Sequence, residues 1–430
     1  MNYTYKQIWL INFPVMMSIL MEQLINITDA VFLGHVGEVE LGASALAGIY
    51  YLAVYMLGFG FSIGMQVMIA RRNGERQYKE TGRTFFQGLY FLSGMAIILC
   101  LLLHWASPLI LYQLITSDEI YQAVIQYLDW RSFGLLFSFP FLAFRSFLVG
   151  ITTTKALSGA AATAVCINIP FNYLLIFKLN LGISGAAMAS SLAEFGAFAI
   201  LLLYMWVKID KVKYGLKIVY DGKLLMKLLR LSVWSMFHAF ISVAPWFLFF
   251  VAIEHLGKTE LAISNITRSV STVFFVIVNS FASTTGSLVS NLIGAGEGKE
   301  LFPVCRKVLR LGYVVGLPLI GIALWGNQWI IGFYTNNEEL VRLAFYPFIV
   351  MLLNYAFALP GYVYVNAVTG MGKTRLAFVF QLSTILIYLV YLYLLSGYFH
   401  ASLTVFMTAE YLFVILLGMQ SIIYLKRKSN

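Results

Sequence analysis

TFFQGLYFLSGMAIILCLLLHWASPLIL, from Thr84 to Leu111, contains no Asp, Glu, Lys or Arg. About 20 consecutive apolar residues suffice for a helix to cross the hydrocarbon core of a bilayer, so this run reads as one membrane span. The pattern recurs outward in both directions. Apolar stretches at 10–33, 44–69, 84–111, 121–150, 156–179, 182–208, 228–254, 261–292, 303–325, 340–369, 373–396 and 399–425 give twelve expected spans with short connections. Over the whole chain 60% of residues are hydrophobic and 11% are charged. A soluble domain carries roughly 25% charged residues, so this composition suits lipid as solvent. The aromatic content suits it too, because Trp and Tyr collect at the two membrane interfaces.

The basic residues set the expected orientation. With a cytoplasmic N-terminus, Arg71, Arg72, Arg76, Lys79 and Arg83 lie inside, as do Lys208 to Arg230, Lys299 to Arg310 and Lys426 to Lys428. Only Lys178, Lys258 and Arg342 fall in outer loops. The positive-inside rule then puts both termini in the cytoplasm, and a multi-pass plasma (inner) membrane protein is expected. The net charge of +10 needs no nucleic acid to explain it. It sits on loops without interleaved aromatics, where attraction to the anionic inner leaflet is a sufficient cause. No cleavable leader is expected at the N-terminus. Cys100, Cys166 and Cys305 are scattered through apolar stretches and form neither a metal motif nor a disulfide framework.

The two halves repeat at a fixed offset of 220 residues. His35-Val36-Gly37 with Glu40-Leu41 and Ser44 aligns with His255-Leu256-Gly257, Glu260-Leu261 and Ser264. Without a gap, Phe61 meets Phe281, Gly74 meets Gly294, and Lys79-Glu80 meets Lys299-Glu300. Further on, Pro140, Gly150, Thr154 and Lys155 meet Pro360, Gly370, Thr374 and Arg375. Six spans per repeat is an even number, so both halves enter the membrane in the same direction. The expected fold is all-α and integral to the membrane: twelve transmembrane helices as two parallel six-helix repeats around a central cleft. The expected divisions are an N-terminal lobe at 1–207, a cytoplasmic linker at 208–227 and a C-terminal lobe at 228–430. One chain then holds a complete pathway and works as a monomer, by rocking of the lobes rather than through a channel filter.

Enzymatic chemistry has no support. There is no His-Glu-x-x-His pattern, and no two histidines share a ligand-like spacing. Gly370-Met371-Gly372-Lys373-Thr374 imitates a phosphate-binding loop, but Ala367 stands where its first glycine belongs. That string reads as a connection between helices.

Several stretches resemble the multidrug and toxic compound extrusion (MATE) family of secondary transporters. Asn26-Ile27-Thr28-Asp29-Ala30-Val31-Phe32-Leu33-Gly34-His35-Val36-Gly37 is similar to that family's first-helix signature. Gly60 to Gly74, with Gln66 and Arg72-Asn73-Gly74-Glu75, is similar to the end of its second helix. Asn168 to Phe177, then Gly182, Gly185-Ala186-Ala187 and Ala189-Ser190, is similar to its fifth and sixth. Gly286 to Gly296 and Gly370 to Thr374 continue the match in the second half. The resemblance implies export of small organic molecules, cationic or amphiphilic, driven by inward Na⁺ or H⁺, with no other cofactor. A lipid-linked oligosaccharide flippase of the same superfamily is the alternative, although such a site calls for basic residues to meet pyrophosphate.

An acid at mid-bilayer costs about 2.5–3.5 kcal/mol on insertion scales, so each one present needs a reason. Span one has Glu22 and Asp29, two turns apart and therefore on one face, about 10 Å from each other. Span four has Asp129 and span six has Glu194. With Asn168, Asn172 and Ser190 these acids make either an oxygen cage for Na⁺ or a carboxyl that takes and releases a proton. If the ion is Na⁺, Asp29, Glu194 and Asn172 are the expected ligands. The resemblance implies coupling acids on the first and sixth helices in one branch of the family, which carries the role onto Asp29 and Glu194. The alternative reading makes Glu22, Glu194 or Asp29 a structural hydrogen-bond partner. Asp129 is expected to pair with Arg131 or to sit at the outer interface.

The second half lacks these acids. Phe249 stands opposite Asp29 and Ser242 opposite Glu22, Glu254 lies at a span end, and Glu410 is expected to be isolated. Cation coupling is therefore expected in the N-terminal lobe alone. Tyr50, Tyr51, Trp246 and Tyr362 are candidates to line the cleft and stack on a cation, against a plain packing role. Pro14, Pro140, Pro245 and Pro360 are either hinges or static kinks.

Overall fold

In lipid every backbone N–H and C=O must be paired within the chain, so long apolar runs become helices. The structure, a computed structural model, describes all residues except 1–2, 114, 116, 246–248, 250–251, 254–257, 335–337, 399–400 and 430. It also leaves undescribed the side chains of 21–22, 38, 258, 261–262, 333–334 and 428–429. Among the described residues, twelve helices are long and apolar enough to span a membrane. Spans one to six are Tyr5–Gly34, Val39–Gly74, Tyr78–Tyr112, Asp118–Gly150, Lys155–Lys178 and Gly182–Lys208. Spans seven to twelve are Gly222–Ile241, Ile263–Gly294, Gly298–Trp325, Glu338–Gly370, Thr374–Tyr398 and Leu403–Arg427. The expected all-α membrane fold with six spans per half is what the chain forms. Trp105, Trp206, Trp325 and Trp329 are exposed, which in water would be costly and in a membrane is ordinary.

The duplication is written in the backbone as well as in the sequence. Arg76 and Gly296, 220 residues apart, both hold positive φ, at 59° and 76°. So do Thr152 and Gly372, at 58° and 80°. Left-handed backbone is uncommon for residues with a side chain, so its recurrence in register marks one turn used twice. Span five ends in a π-helical segment at Tyr173–Lys178, and span eleven does so at Leu394–Tyr398. Span four is interrupted by a 3₁₀ turn at Ser132–Gly134, and span ten is broken at Asn354, the register partner of Gly134. The phosphate-loop imitation is a connection: span ten ends at Gly370 and the next helix begins at Thr374.

The chain packs as two compact units, Phe13–Phe240 and Met1–Asn12 with Ile241–Asn430, here called the N-terminal and C-terminal units. The N-terminal unit thus extends past residues 207 and 227 and takes in most of span seven. The cause is local. Gly60 and Gly64 of span two leave room for Ser232, Ser235 and Met236 of span seven to approach so closely that any Cβ would collide with them. The preceding segment is tied to span three, where Gln87 Nε2 donates to Val219 O at 2.7 Å and Gln87 Oε1 accepts from Asp221 N at 3.0 Å. Asp221 then caps span seven, its Oδ1 accepting from Lys223 N and Leu224 N, each at 3.0 Å. In the C-terminal unit, span eight packs against span ten, and span ten against span twelve. The chain's first residues join this unit through Asn12, whose Oδ1 accepts from Thr284 Oγ1 at 3.0 Å.

Candidate functional site

Asn168 and Asn172 are four residues apart and share one face of span five. Span six comes close enough to reach them because its first turns are built of Gly185, Ala186, Ala187 and Ala189. A Cβ on Gly185 would meet the backbone of Leu175 and Ile176. This brings Ser190 to the two amides, and Asp29 of span one completes the group. Asp29 Oδ1 accepts from Asn168 Nδ2 at 3.0 Å and from Asn172 Nδ2 at 2.6 Å. Asp29 Oδ2 accepts from Ser190 Oγ. Asn168 Nδ2 also donates to Ser190 Oγ at 3.2 Å, and Asn172 Nδ2 to Asn168 Oδ1 at 3.1 Å. All four residues are buried, Asp29 being 6% exposed.

The carboxylate is thus held by three neutral donors; no described Lys, Arg or His forms an ion pair with it, although Arg131 lies within electrostatic range. Neutral donors satisfy its lone pairs but leave a net negative charge in a dry place, a costly arrangement unless a cation arrives. Asn172 Oδ1 is buried without a hydrogen-bond partner among the described residues. A proton can enter at Asp29 Oδ2 if the Ser190 hydroxyl turns to accept. A Na⁺ ion needs Asn168 and Asn172 to present oxygen rather than nitrogen.

Glu194 does not join this group. Its Oε1 accepts from Arg131 Nη2 at 2.7 Å, and the two side chains are 20% and 10% exposed. The guanidinium lies over the Tyr51 ring, 4.2 Å from its centroid. Gly134, in the 3₁₀ turn of span four, makes room for the pair, since a Cβ there would collide with Glu194 Oε2 and Arg131 Nη1. Of the two expectations for Asp129, the pairing with Arg131 does not form: Asp129 Oδ1 lies 3.1 Å from His104 Nδ1, and its side chain is 39% exposed. Asp129 and Arg131 are two residues apart, and on a helix such neighbours do not face each other. Sequence reasoning missed Arg131 as a buried partner. Its signal was a basic residue inside a span, which demands an acid on a neighbouring one. Glu194 thus pairs with an internal cation, while Asp29 is hydrogen-bonded to Asn168, Asn172 and Ser190.

The expectation that Glu410 is isolated is also overturned. Its Oε1 accepts from Tyr388 OH at 3.1 Å, and Arg268 lies within electrostatic range. Two acids with partners stand in different units, because packing between spans brings groups together that the chain keeps far apart. The aromatic candidates divide in the same way. Tyr50 OH accepts from Ser107 Oγ at 3.3 Å and Tyr51 holds Arg131, both in the N-terminal unit. Tyr362 belongs to the C-terminal unit, edge-on to Phe275 at 5.2 Å. The Glu22 side chain, Trp246 and Glu254 lie outside the described residues.

The MatE family's sequence model matches residues 14–174 and again 235–394, one match per repeat. A probable multidrug resistance protein NorM of Idiomarina loihiensis is 21% identical, over 77% of this chain and 73% of its own length. Multidrug and toxin extrusion protein 2 of Mus musculus is 27% identical over 77% of this chain, which spans 58% of the mouse protein. Among solved structures, the eukaryotic MATE transporter AtDTX14 superposes with a TM-score of 0.84 at 20% identity, covering 99% of this chain and 97% of that one. An outward-facing MATE family transporter of the MOP superfamily gives 0.91 at 15% identity, covering 99% and 96%. Two family matches in register, twelve spans and a shared fold lead to one conclusion: this chain belongs to the MatE family, and is a multi-pass membrane transporter rather than an enzyme.

Proposed function

We propose that this transporter exports small organic molecules, cationic or amphiphilic, in exchange for Na⁺ or H⁺ by alternating access, and that Asp29 takes the coupling cation. The observation that carries the reading is a carboxylate 6% exposed, held by Asn168, Asn172 and Ser190, with no ion pair to a basic side chain among the described residues. Such a group changes its free energy steeply when a cation binds, which is what a coupling site needs. A ligand shifts a conformational equilibrium only through its differential affinity for the two states. A site that gains its last oxygens in one state and loses them in the other provides that difference. The distribution of basic loops supports an inner-membrane location with both termini cytoplasmic. The names of the relatives, multidrug resistance and multidrug and toxin extrusion proteins, support organic substrates.

The test is efflux of ethidium from proteoliposomes under an imposed Na⁺ gradient or, separately, a pH gradient. Wild-type protein exports under one of them, and Asp29→Asn falls to the passive leak, a loss of about tenfold or more. Asp29→Asn efflux equal to wild type removes Asp29 from the coupling step.

A further inference from the structure

The repeat register carries further than the turns. Moving the N-terminal unit's buried polar group on by 220 residues takes Tyr51 to Ser271, Arg131 to Met351, Gly134 to Asn354 and Glu194 to Val414. The three side chains that fill the space in the first unit, a guanidinium, a carboxylate and a phenol ring, have smaller or uncharged counterparts in the second. There the space is open: a cavity of about 60 Å³ is lined by Ser271, Met351, Asn354 and Val414. One water needs roughly 10–15 Å³, so the cavity has room for a small head group rather than for a whole drug-sized molecule.

Its wall is not neutral. Ser190 moves on to Glu410, so an acid stands where the first unit has a hydroxyl, and Glu410 lines the cavity. Asn354 lines it too. It is 9% exposed, and its Oδ1 has no hydrogen-bond partner among the described residues. Phe275 and Tyr362 supply aromatic surface. Arg268 is within electrostatic range of Glu410 but is not among the residues that line the cavity. A carboxylate, an unsatisfied amide oxygen and aromatic faces together select a cation that donates hydrogen bonds.

We propose that this cavity of the C-terminal unit binds the guanidinium or ammonium head of the transported cation, in the position that the Arg131 guanidinium fills in the N-terminal unit. The proposal rests on the reading of the chain as an exporter of organic cations and gives that substrate a chemical class. The internal precedent sets the geometry. Arg131 sits between Glu194 and the Tyr51 ring, whereas a ligand would sit between Glu410 with Asn354 and the Phe275 and Tyr362 rings.

Binding of benzylguanidinium to purified full-length protein in detergent, followed by calorimetry against its neutral isostere benzylurea, tests this. No ion gradient is involved, so a failure here is distinct from a failure of gradient-driven export. Glu410→Gln weakens benzylguanidinium by about tenfold or more, because the charge partner is lost. Met351→Arg, which carries the first unit's guanidinium into the cavity, abolishes binding while raising the melting temperature. That rise separates a filled site from a misfolded protein. Glu410→Gln affinity within twofold of wild type overturns the proposal, as does benzylurea binding as tightly as benzylguanidinium.

Discussion

The two units share one backbone plan and differ in where they put charge. The N-terminal unit has an acid on span one held by neutral donors, and a second on span six neutralised by Arg131. In the C-terminal unit Phe249 replaces the first acid, Val414 replaces the second, and Glu410 appears on span twelve at the register of Ser190. The turns at Arg76 and Gly296, at Thr152 and Gly372, and the breaks at Gly134 and Asn354 have stayed in place. Duplication therefore preserved what closes backbone hydrogen bonds in lipid, where deviation is expensive everywhere. Buried side-chain polarity is paid for one site at a time, so it was free to diverge.

That comparison can be broken most forcefully at Arg131. Arg131→Met leaves Glu194 buried without its cation, and removing one partner of a buried pair costs about 3–5 kcal/mol. A fall in thermal stability in detergent, well beyond that of surface substitutions, is the expected result. Replacing Gly134 by Ala has the next largest effect. Its Cβ collides with both members of the pair, and overpacking of this kind costs about 1–3 kcal/mol. The same melting assay measures it, and Asn354→Ala in the other unit serves as a contrast with no such collision.

The double substitution Arg131→Met with Glu194→Val writes the C-terminal unit's residues into the N-terminal one. Because both charges go together, most of the single-mutant loss is recovered, leaving about 1.5 kcal/mol or less. A double mutant no more stable than Arg131→Met alone refutes the pairing as the source of the loss, and the mutant cycle gives the coupling directly. The smallest effect belongs to Asp129→Asn. Its partner His104 is 50% exposed and Asp129 itself 39%, so the contact contributes about 0–1 kcal/mol. The melting temperature stays close to wild type.

Much of this was legible in the residues. The twelve spans follow from apolar runs such as Thr84 to Leu111, because the length needed to cross lipid is a fixed number of helical residues. The repeat was legible for the same reason that it persists: glycines and turn residues at a constant offset are backbone requirements. Asp29, Asn168, Asn172 and Ser190 stood out as polar groups inside spans, where each is costly.

The partnerships were not legible. Arg131 meets Glu194, 63 positions away, because spans four and six pack against each other and Gly134 leaves the space. The reach of the N-terminal unit to Phe240 depends on Gly60 and Gly64 fitting span seven, a matter of surfaces rather than of hydropathy. The cavity beside Glu410 comes from smaller or uncharged side chains at three register positions, visible only when spans eight, ten and twelve are assembled around it. Hydropathy and spacing are properties of a single segment, so the spans, the duplication and the polar candidates can be read from the residues in order. Pair identity and empty volume are properties of several segments at once, and they come into being when the helices pack.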